Sequence, residues 1–436
     1  MTISVFDYFR PFLKFDYNKL NYNALLLFAI CINFPQKIVI LALAIWLLSF
    51  LPTLRFKIER SDYKSISTPF ALLFCLLIVR VSSSFYHVDT FELVTKQLID
   101  TQAPLVLLPL LLFFGINKSV NIDKVILFYI IGGVCSCLTV FAMFILYKYN
   151  IIENNAHIPY PITNNNISFT EQLLIFQDFF TTSFKHRAGM GANLTMAFAC
   201  LIYYTNQKTS PKIQKKYVFL FGTILVLTLC ASGSRSGLLS FLLVILFSVL
   251  YHFRKNLKLA IPILVVLAIA LTGYSKINTC RPMLTKEISS LDYSKIRNTD
   301  PRFKIWESAI ELVKFAPIIG YGQAGYEKAL LKQYEKYGLK EDIRTKNKSH
   351  NQFIQFSLES GVLAGVLFVL ILLSIYTKNN FAYLSIAFII TFAIYSFFED
   401  SLVIINGVSF LSFFIAIFFI NSTVNNRTHT IKIINQ

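Results

Sequence analysis

The chain has 436 residues, of which 55% are hydrophobic and only 15% are charged, and its formal net charge is +18. Soluble domains typically carry about 25% charged residues, so this composition excludes an ordinary soluble enzyme and predicts a membrane-embedded protein. The sequence has no zinc-ligand spacing, RNA-binding signature or soluble basic domain, so the positive charge does not indicate a nucleic-acid-binding protein.

Long apolar stretches recur along the chain, and a transmembrane helix needs about 20 mainly apolar residues. The sequence therefore predicts an all-α polytopic membrane protein with about 12 transmembrane helices. The first two helices are separated only by Pro35 and Gln36, which predicts a tight hairpin. The predicted spans lie near residues 22–34, 37–54, 68–86, 101–116, 124–148, 188–205, 217–232, 235–252, 257–274, 350–376, 380–398 and 401–420.

Basic residues in the short loops predict the orientation of these helices. They concentrate in alternate loops, as expected if both termini are cytoplasmic. The chain then divides into helices 1–9 (residues 1–274), an external loop with amphipathic helices (275–349), helices 10–12 (350–420) and a cytoplasmic tail (421–436). The tail is polar, and we expect it to be poorly ordered.

The turn between the seventh and eighth spans carries an arginine between small residues. Its sequence runs from Ser232 to Gly237 with Arg235 inside it. Small residues allow a ligand or another helix to approach the backbone closely. A guanidinium group matches the geometry of phosphate, which predicts an anion site. The alternative is a tight turn whose Arg235 reaches up to lipid headgroups.

The external loop is predicted to contain an amphipathic helix that lies over the mouth of the membrane region. Asp300 is a suitable N-cap, Pro301 suits the first helical position, and Arg302 and Trp306 lie one turn apart on one face. The alternative is an ordinary surface arginine beside an interfacial tryptophan. A glycine turn follows, and then a second helix that ends at Tyr337.

The start of the tenth span carries the strongest motif. His350 lies at its outer end, and Asn351, Gln355 and Glu359 follow at four-residue spacing as one polar stripe on an apolar helix. Polar side chains within a membrane normally face a cavity or the bundle interior. A histidine there can act as a general base near neutral pH. The alternative is a histidine that only caps the helix.

Other polar residues give weaker indications. Arg187 adds a cation at the mouth of the sixth span, and Arg80 lies within the third span. Glu399 and Asp400 are interpreted as counter-charges to nearby arginines. The outer loops hold no DxD-type acidic pair, so we expect neither a bound metal nor any other cofactor.

In this order, the Arg235 turn, the Arg302 and Trp306 helix and the His350 motif resemble the bacterial O-antigen ligase and O-antigen polymerase family. The motifs cover roughly residues 185–370, and the predicted twelve-span layout extends the resemblance to the whole chain. In that family the arginine after the small-residue turn, the loop arginine and the histidine are functional. One departure is the segment 191–193, where relatives often have an Asn-Pro-Asn-like turn.

The resemblance implies transfer of a glycan from undecaprenyl pyrophosphate to an acceptor hydroxyl at the periplasmic face of the bacterial inner membrane. By this resemblance Arg235 and Arg302 stabilise the pyrophosphate and His350 is the base, with no metal and inversion at the anomeric centre. The expected partners are the lipid-linked donor, lipid A–core and membrane lipids. The residues expected to contact substrate are Arg187, Asn351, Gln355, Glu359 and Trp306.

Three alternatives remain open at this point. A polymerase of the same family would transfer the glycan to another repeat unit, and a protein O-oligosaccharyltransferase would transfer it to a protein. A polysaccharide or solute transporter belongs to a different class. Transporters usually show two comparable halves, whereas the long loop of this chain follows the ninth predicted span.

Overall fold

A computed structural model describes residues 16–53, 60–87, 102–105, 107–108, 111, 120–149, 169–206, 213–253, 301–323, 325–346, 348–377 and 381–434. All regular structure within these ranges is helical, which confirms the predicted all-α class. The predicted ninth span, the first part of the external loop and the proposed N-cap Asp300 lie outside the described residues.

The helices follow the predicted apolar stretches closely. The first eight described helices are α1 (Tyr17–Cys31), α2 (Gln36–Ser49), α3 (Arg60–Tyr86), α4 (Ile122–Lys148), α5 (Phe169–Phe179), α6 (Arg187–Asn206), α7 (Lys215–Ala231) and α8 (Arg235–His252). The next seven are α9 (Pro301–Phe315), α10 (Gly325–Tyr337), α11 (Lys340–Thr345), α12 (Gln352–Ser360), α13 (Val362–Ser374), α14 (Ala382–Phe398) and α15 (Ile405–Ile434).

The first two helices begin at defined cap residues. Asp16 caps α1 by accepting hydrogen bonds from the backbone of Asn18 and Lys19, and Pro35 is the N-cap of α2. Helices α1 and α2 pack against each other, which confirms the hairpin. Within the 275–349 segment α9 begins at Pro301 and α10 ends at Tyr337, as predicted.

Within the described residues, three helices are long and apolar enough to cross a membrane: Thr68–Tyr86 within α3, and the whole of α4 and α8. Shorter apolar helices are α2, α13, α14 and Ile405–Asn421 of α15. These helices support a membrane protein. The number of 12 spans, the four segments and the orientation stay predictions.

The predicted tenth span, 350–376, is divided into two helices at Gly361. Gly361 has a φ of 84°, and Val362 donates its backbone N–H to the carbonyl of Pro317 at 2.8 Å. A Cβ at Gly361 would lie 2.0 Å from the carbonyl oxygen of Ile318. The helix is therefore interrupted because the turn at residues 317–322 occupies the space beside it.

We expect Gly361→Ala to destabilise the protein much more than Gly338→Ala does. Both glycines have a positive φ, but a Cβ at Gly338 would meet nothing within 4 Å. The control variant should therefore lose only the stability that a left-handed backbone costs a non-glycine residue, about 1–2 kcal/mol. Thermal unfolding of the purified protein in detergent measures the difference, and equal melting temperatures would contradict the packing at Gly361.

The C-terminal tail is largely helical. Helix α15 continues from Ile405 to Ile434, and the expected poor order of the tail stays a prediction. The sequence after Gly407 contains neither glycine nor proline, so nothing in the local backbone interrupts the helix.

Two apolar cores hold the helices around the site. The larger core joins the membrane helices, and its largest fully buried side chains include Trp46, Phe368 and Phe388. The smaller core lies between α9, α10 and α12 and includes Ile305 and Leu358. The second core fixes α9 against α12, so the first turn of α9 lies close to the His350 motif.

Candidate functional site

His350, Arg302 and Glu399 form one charged cluster. His350 Nδ1 lies 3.5 Å from Glu399 Oε2, and Arg302 Nη2 donates to Glu399 Oε1 at 3.2 Å. Arg302 is in the first turn of α9, and Glu399 directly follows α14. Two of the three predicted catalytic residues therefore meet through a carboxylate that the sequence indicated only as a counter-charge.

Asp400 fixes the backbone on which His350 stands. Its carboxylate accepts hydrogen bonds from the His350 N–H at 3.2 Å, the Asn351 N–H at 2.9 Å and the Ser349 hydroxyl at 3.0 Å. His350 has a φ of 50°, the left-handed conformation that few residues other than glycine adopt. The buried carboxylate compensates for this strain by holding consecutive N–H groups.

The charges around His350 set its protonation. The contact with Glu399 raises the pKa of His350, partial burial lowers it, and the nearby Asp400 raises it again, so the balance lies above the ordinary value. Burial alone would raise the pKa of Glu399, but His350, His186 and Arg302 together lower it. Glu399 is thus an anion at neutral pH and favours the protonated histidine.

Trp306 joins α9 to the His350 segment. Its indole N–H donates to the Ser349 carbonyl at 3.0 Å, and its ring packs edge-on against Phe397 at 5.1 Å between centroids. Because Arg302 lies one helical turn earlier, this contact places the guanidinium group over Glu399. The predicted relation between Arg302 and Trp306 is therefore present.

Arg235 is the exposed first residue of α8. The turn before it has Gly233 at a φ of 64°, and Ser234 is the N-cap, whose hydroxyl accepts from the Gly237 N–H at 3.0 Å. A Cβ at Gly191 would lie only 2.8 Å from Gly237 Cα, so α6 and α8 cross closely at this turn. The small residues of the turn therefore serve helix packing, and Arg235 projects beyond them.

Arg187 begins α6 on the same side of the bundle. It is half-buried, and the adjacent His186 is exposed. The charge of His186 contributes to the lowered pKa of Glu399, so the start of α6 lies near the cluster. Two residues after Arg187, a Cβ at Gly189 would lie 3.1 Å from the Tyr395 hydroxyl, one turn before Glu399. The beginnings of α6 and α9 thus lie at the end of α14, and the beginning of α8 packs against α6.

The polar stripe of α12 is present but faces the protein interior. Asn351 is the N-cap, and its side chain accepts from the backbone of the helix. Gln355 Nε2 donates to Glu359 Oε1 at 2.8 Å, and Glu359 pairs with Arg80 at 2.6 Å. The side chains of Asn351, Gln355 and Glu359 are at most 3% exposed. The amide oxygen of Asn351, the amide of Gln355 and the carboxylate of Glu359 have partners within the protein.

Two contributions were missed from the sequence. His87 places Nε2 2.9 Å from the Gly320 carbonyl, so it holds the loop turn. Asp400 binds the backbone of residues 349–351 rather than an arginine. For the carboxylates of Glu399 and Asp400, the only sequence signal was an acidic pair at the end of an apolar helix.

The site lies largely within a recognised domain. Residues 217–369 match the family model described as O-antigen ligase, and this region contains Arg235, Arg302, Trp306 and His350. A protein of Haemophilus influenzae described only as uncharacterized is 27% identical over 180 residues. That alignment covers 37% of this chain and 44% of the relative, so the chain matches less than half of its length.

The resemblance found in the motifs is therefore confirmed at the level of the family. The matched region begins in α7 and ends within α13, so it includes the small-residue turn, the loop helix and the His350 segment in the expected order. Residues 217–369 of this chain are thus similar to the O-antigen ligase family.

Proposed function

We propose that this protein is a glycosyltransferase that moves an O-antigen-type glycan from undecaprenyl pyrophosphate to an acceptor hydroxyl. The observation that carries the proposal is the charged cluster of His350, Glu399 and Arg302, with Arg235 and Arg187 at neighbouring helix starts. The family match supports an O-antigen ligase-type or polymerase-type glycosyltransferase. The donor, the acceptor and the residue roles are parts of the proposal.

In this proposal the arginines stabilise the leaving group. As the bond between the anomeric carbon and the phosphate oxygen breaks, negative charge develops on the pyrophosphate. Arg235 and Arg302 offer charge-assisted hydrogen bonds, and Arg187 adds a third cation nearby. Arg187, Arg235 and Arg302 lie in the first turns of α6, α8 and α9, where the helix dipole also favours an anion.

His350 takes the proton of the acceptor. Its Nδ1 faces Glu399, which leaves Nε2 for the acceptor hydroxyl. The acceptor oxygen bonds to the anomeric carbon, its proton passes to Nε2, and the bond between the anomeric carbon and the phosphate oxygen breaks with its electrons on the pyrophosphate. In-line displacement of this kind inverts the anomeric centre, and none of these steps uses a metal.

The residues expected to contact substrate take a different role in this proposal. Asn351, Gln355, Glu359 and Trp306 direct their polar atoms to protein partners, so they position the site. Arg187 remains a proposed substrate contact. This division is supported by burial, because Gln355 and Glu359 are at most 1% exposed.

Lipid A–core at the periplasmic face of the inner membrane is the acceptor we favour, because the matched family is described as O-antigen ligase. Polymerisation of repeat units is the second candidate within the same chemistry. Both functions require that Arg187, Arg235, Arg302 and His350 lie on the periplasmic side, with both termini cytoplasmic.

Deletion of the gene, followed by gel analysis of the surface polysaccharide, tests the proposal. Loss of a ligase leaves long polymer on the undecaprenyl carrier, whereas loss of a polymerase leaves core that bears a single repeat. Modified protein that loses its glycan would instead indicate a protein acceptor. Unchanged polysaccharide with altered solute uptake would contradict a glycosyltransferase and support a transporter.

The loss of activity at acid pH should follow the protonation of His350. The base acts when neutral, so transfer should fall as the pH decreases through the pKa of His350, which the contact with Glu399 raises. Glu399→Gln removes that contact and lowers the pKa, so the acid limb of kcat/KM should move to lower pH. Glu311→Gln, which removes a carboxylate bound to Lys336 on the loop, is the matched control and should leave the limb in place. An unmoved limb in Glu399→Gln would refute the assignment of His350 as the base.

A further inference from the structure

Arg80 is a charged residue in the middle of an apolar helix. It lies within Thr68–Tyr86, one of the helices able to cross a membrane, and it is 2% exposed. Its Nη2 donates to Glu359 Oε2 at 2.6 Å, and its Nη1 donates to Gln102 Oε1. The guanidinium group also lies 4.7 Å from the ring centroid of Phe356. A buried cation in such a helix requires partners of this kind.

One arm of contacts leads from Arg80 to the segment that carries His350. Glu359 accepts from Gln355 Nε2 at 2.8 Å, and Gln355 Oε1 lies 3.0 Å from the Ser349 hydroxyl. That hydroxyl also lies 3.0 Å from Asp400 Oδ1. The arm therefore ends at the carboxylate that holds the backbone of His350.

A second arm leads to the segment that carries Glu399. Gln102 Nε2 donates to the Leu402 carbonyl at 3.3 Å. The N–H of Leu402 in turn donates to Gln352 Oε1 at 2.6 Å. The two arms thus form a closed ring of polar contacts that connects Arg80 to both segments of the site, 349–352 and 399–402.

The energetics indicate why such a ring exists. The desolvation of a buried ion pair can exceed its Coulombic gain, so replacing both partners by apolar residues of similar size is often neutral or stabilising. Stability alone is therefore a weak explanation for the pair of Arg80 and Glu359. Buried polar groups can instead specify one arrangement of segments that apolar packing would leave free to shift.

We propose that Arg80 is a positioning residue of this site. Through Glu359 and Gln102 it sets the position of residues 349–352 relative to 399–402, and so of His350 relative to Glu399. It acts without contact with the reacting atoms. The positioning of residues 349–352 relative to 399–402 follows from the polar contacts themselves. Only the effect on catalysis rests on the proposed function.

The test uses the full-length double variant Arg80→Met/Glu359→Met, because a single replacement would leave one buried charge unpaired and unfold the protein. The matched control is Ser248→Ala/Tyr383→Phe, which removes a buried hydrogen bond of 2.7 Å between α8 and α14 outside the ring. Hydrogen exchange of the His350 and Asn351 amides is measured by mass spectrometry. Both amides donate to Asp400, so their exchange reports the position of the segment.

The double variant should still fold, exchange these two amides faster, and lose about 10- to 100-fold in kcat with an unchanged KM for the donor. The control variant should change neither exchange nor kcat. Unchanged exchange at residues 349–352 overturns the proposal whatever the activity. Faster exchange in a protein whose wild type transfers no glycan would uphold the positioning role and refute the proposed function.

Discussion

His350→Asn is expected to lower the rate of glycan transfer by about 10²- to 10⁴-fold, the usual contribution of a general base. Asparagine tolerates the left-handed backbone at this position better than other non-glycine residues do. It also keeps the N–H that donates to Asp400, so the fold of the segment should remain. The variant therefore removes the base and little else. Transfer from a synthetic lipid-linked donor, measured with purified protein, gives the rate.

The control for this variant is Lys346→Asn. Lys346 has nearly the same backbone conformation, with a φ of 49° at the end of α11, but it is exposed and has no place in the proposed chemistry. It should retain the wild-type rate. If His350→Asn melts normally and retains full activity, His350 is not the base.

The helices could be predicted from the sequence because apolar stretches and their interruptions are local features. Pro35 ends one helix and caps the next, and Ser234 and Pro301 start helices where their chemistry favours it. The break at Gly361 could not be predicted in the same way. It depends on the turn at residues 317–322, about 40 residues away in the sequence, whose backbone fills the space that a side chain would need.

The cationic residues of the site could be predicted from the sequence, whereas the contacts of the anionic residues could not. Such an arginine can be predicted when it follows a small-residue turn or lies in the first turn of a loop helix, because the start of the helix defines its position. Glu399 lies 97 residues from Arg302, and nothing in the sequence of either fixes their contact at 3.2 Å. The same holds for Asp400, whose partners are backbone N–H groups that any residue could provide. Tertiary packing alone brings these groups together.

Arg235→Ala and Arg302→Ala should each lower the transfer rate by about 10²- to 10³-fold, the usual effect of removing one donor to a developing anion. Neither guanidinium group lies in the apolar core, so both variants should fold and melt close to the wild type. Arg→Lys at either position retains the charge without the planar fork, and should recover only part of the rate.

The two variants should differ in their pH dependence. The charge of Arg302 lowers the pKa of His350, whereas the contact with Glu399 raises it. Removal of Arg302 should therefore raise the pKa of His350 further, so that the acid limb of kcat/KM moves to higher pH. Arg235 is not among the groups that shift His350, so its removal should lower the plateau and leave the limb unmoved. Parallel pH profiles of the two variants would show that Arg302 acts on the substrate alone. Opposite behaviour, with a shift only in Arg235→Ala, would refute the arrangement in which Glu399 joins Arg302 to His350.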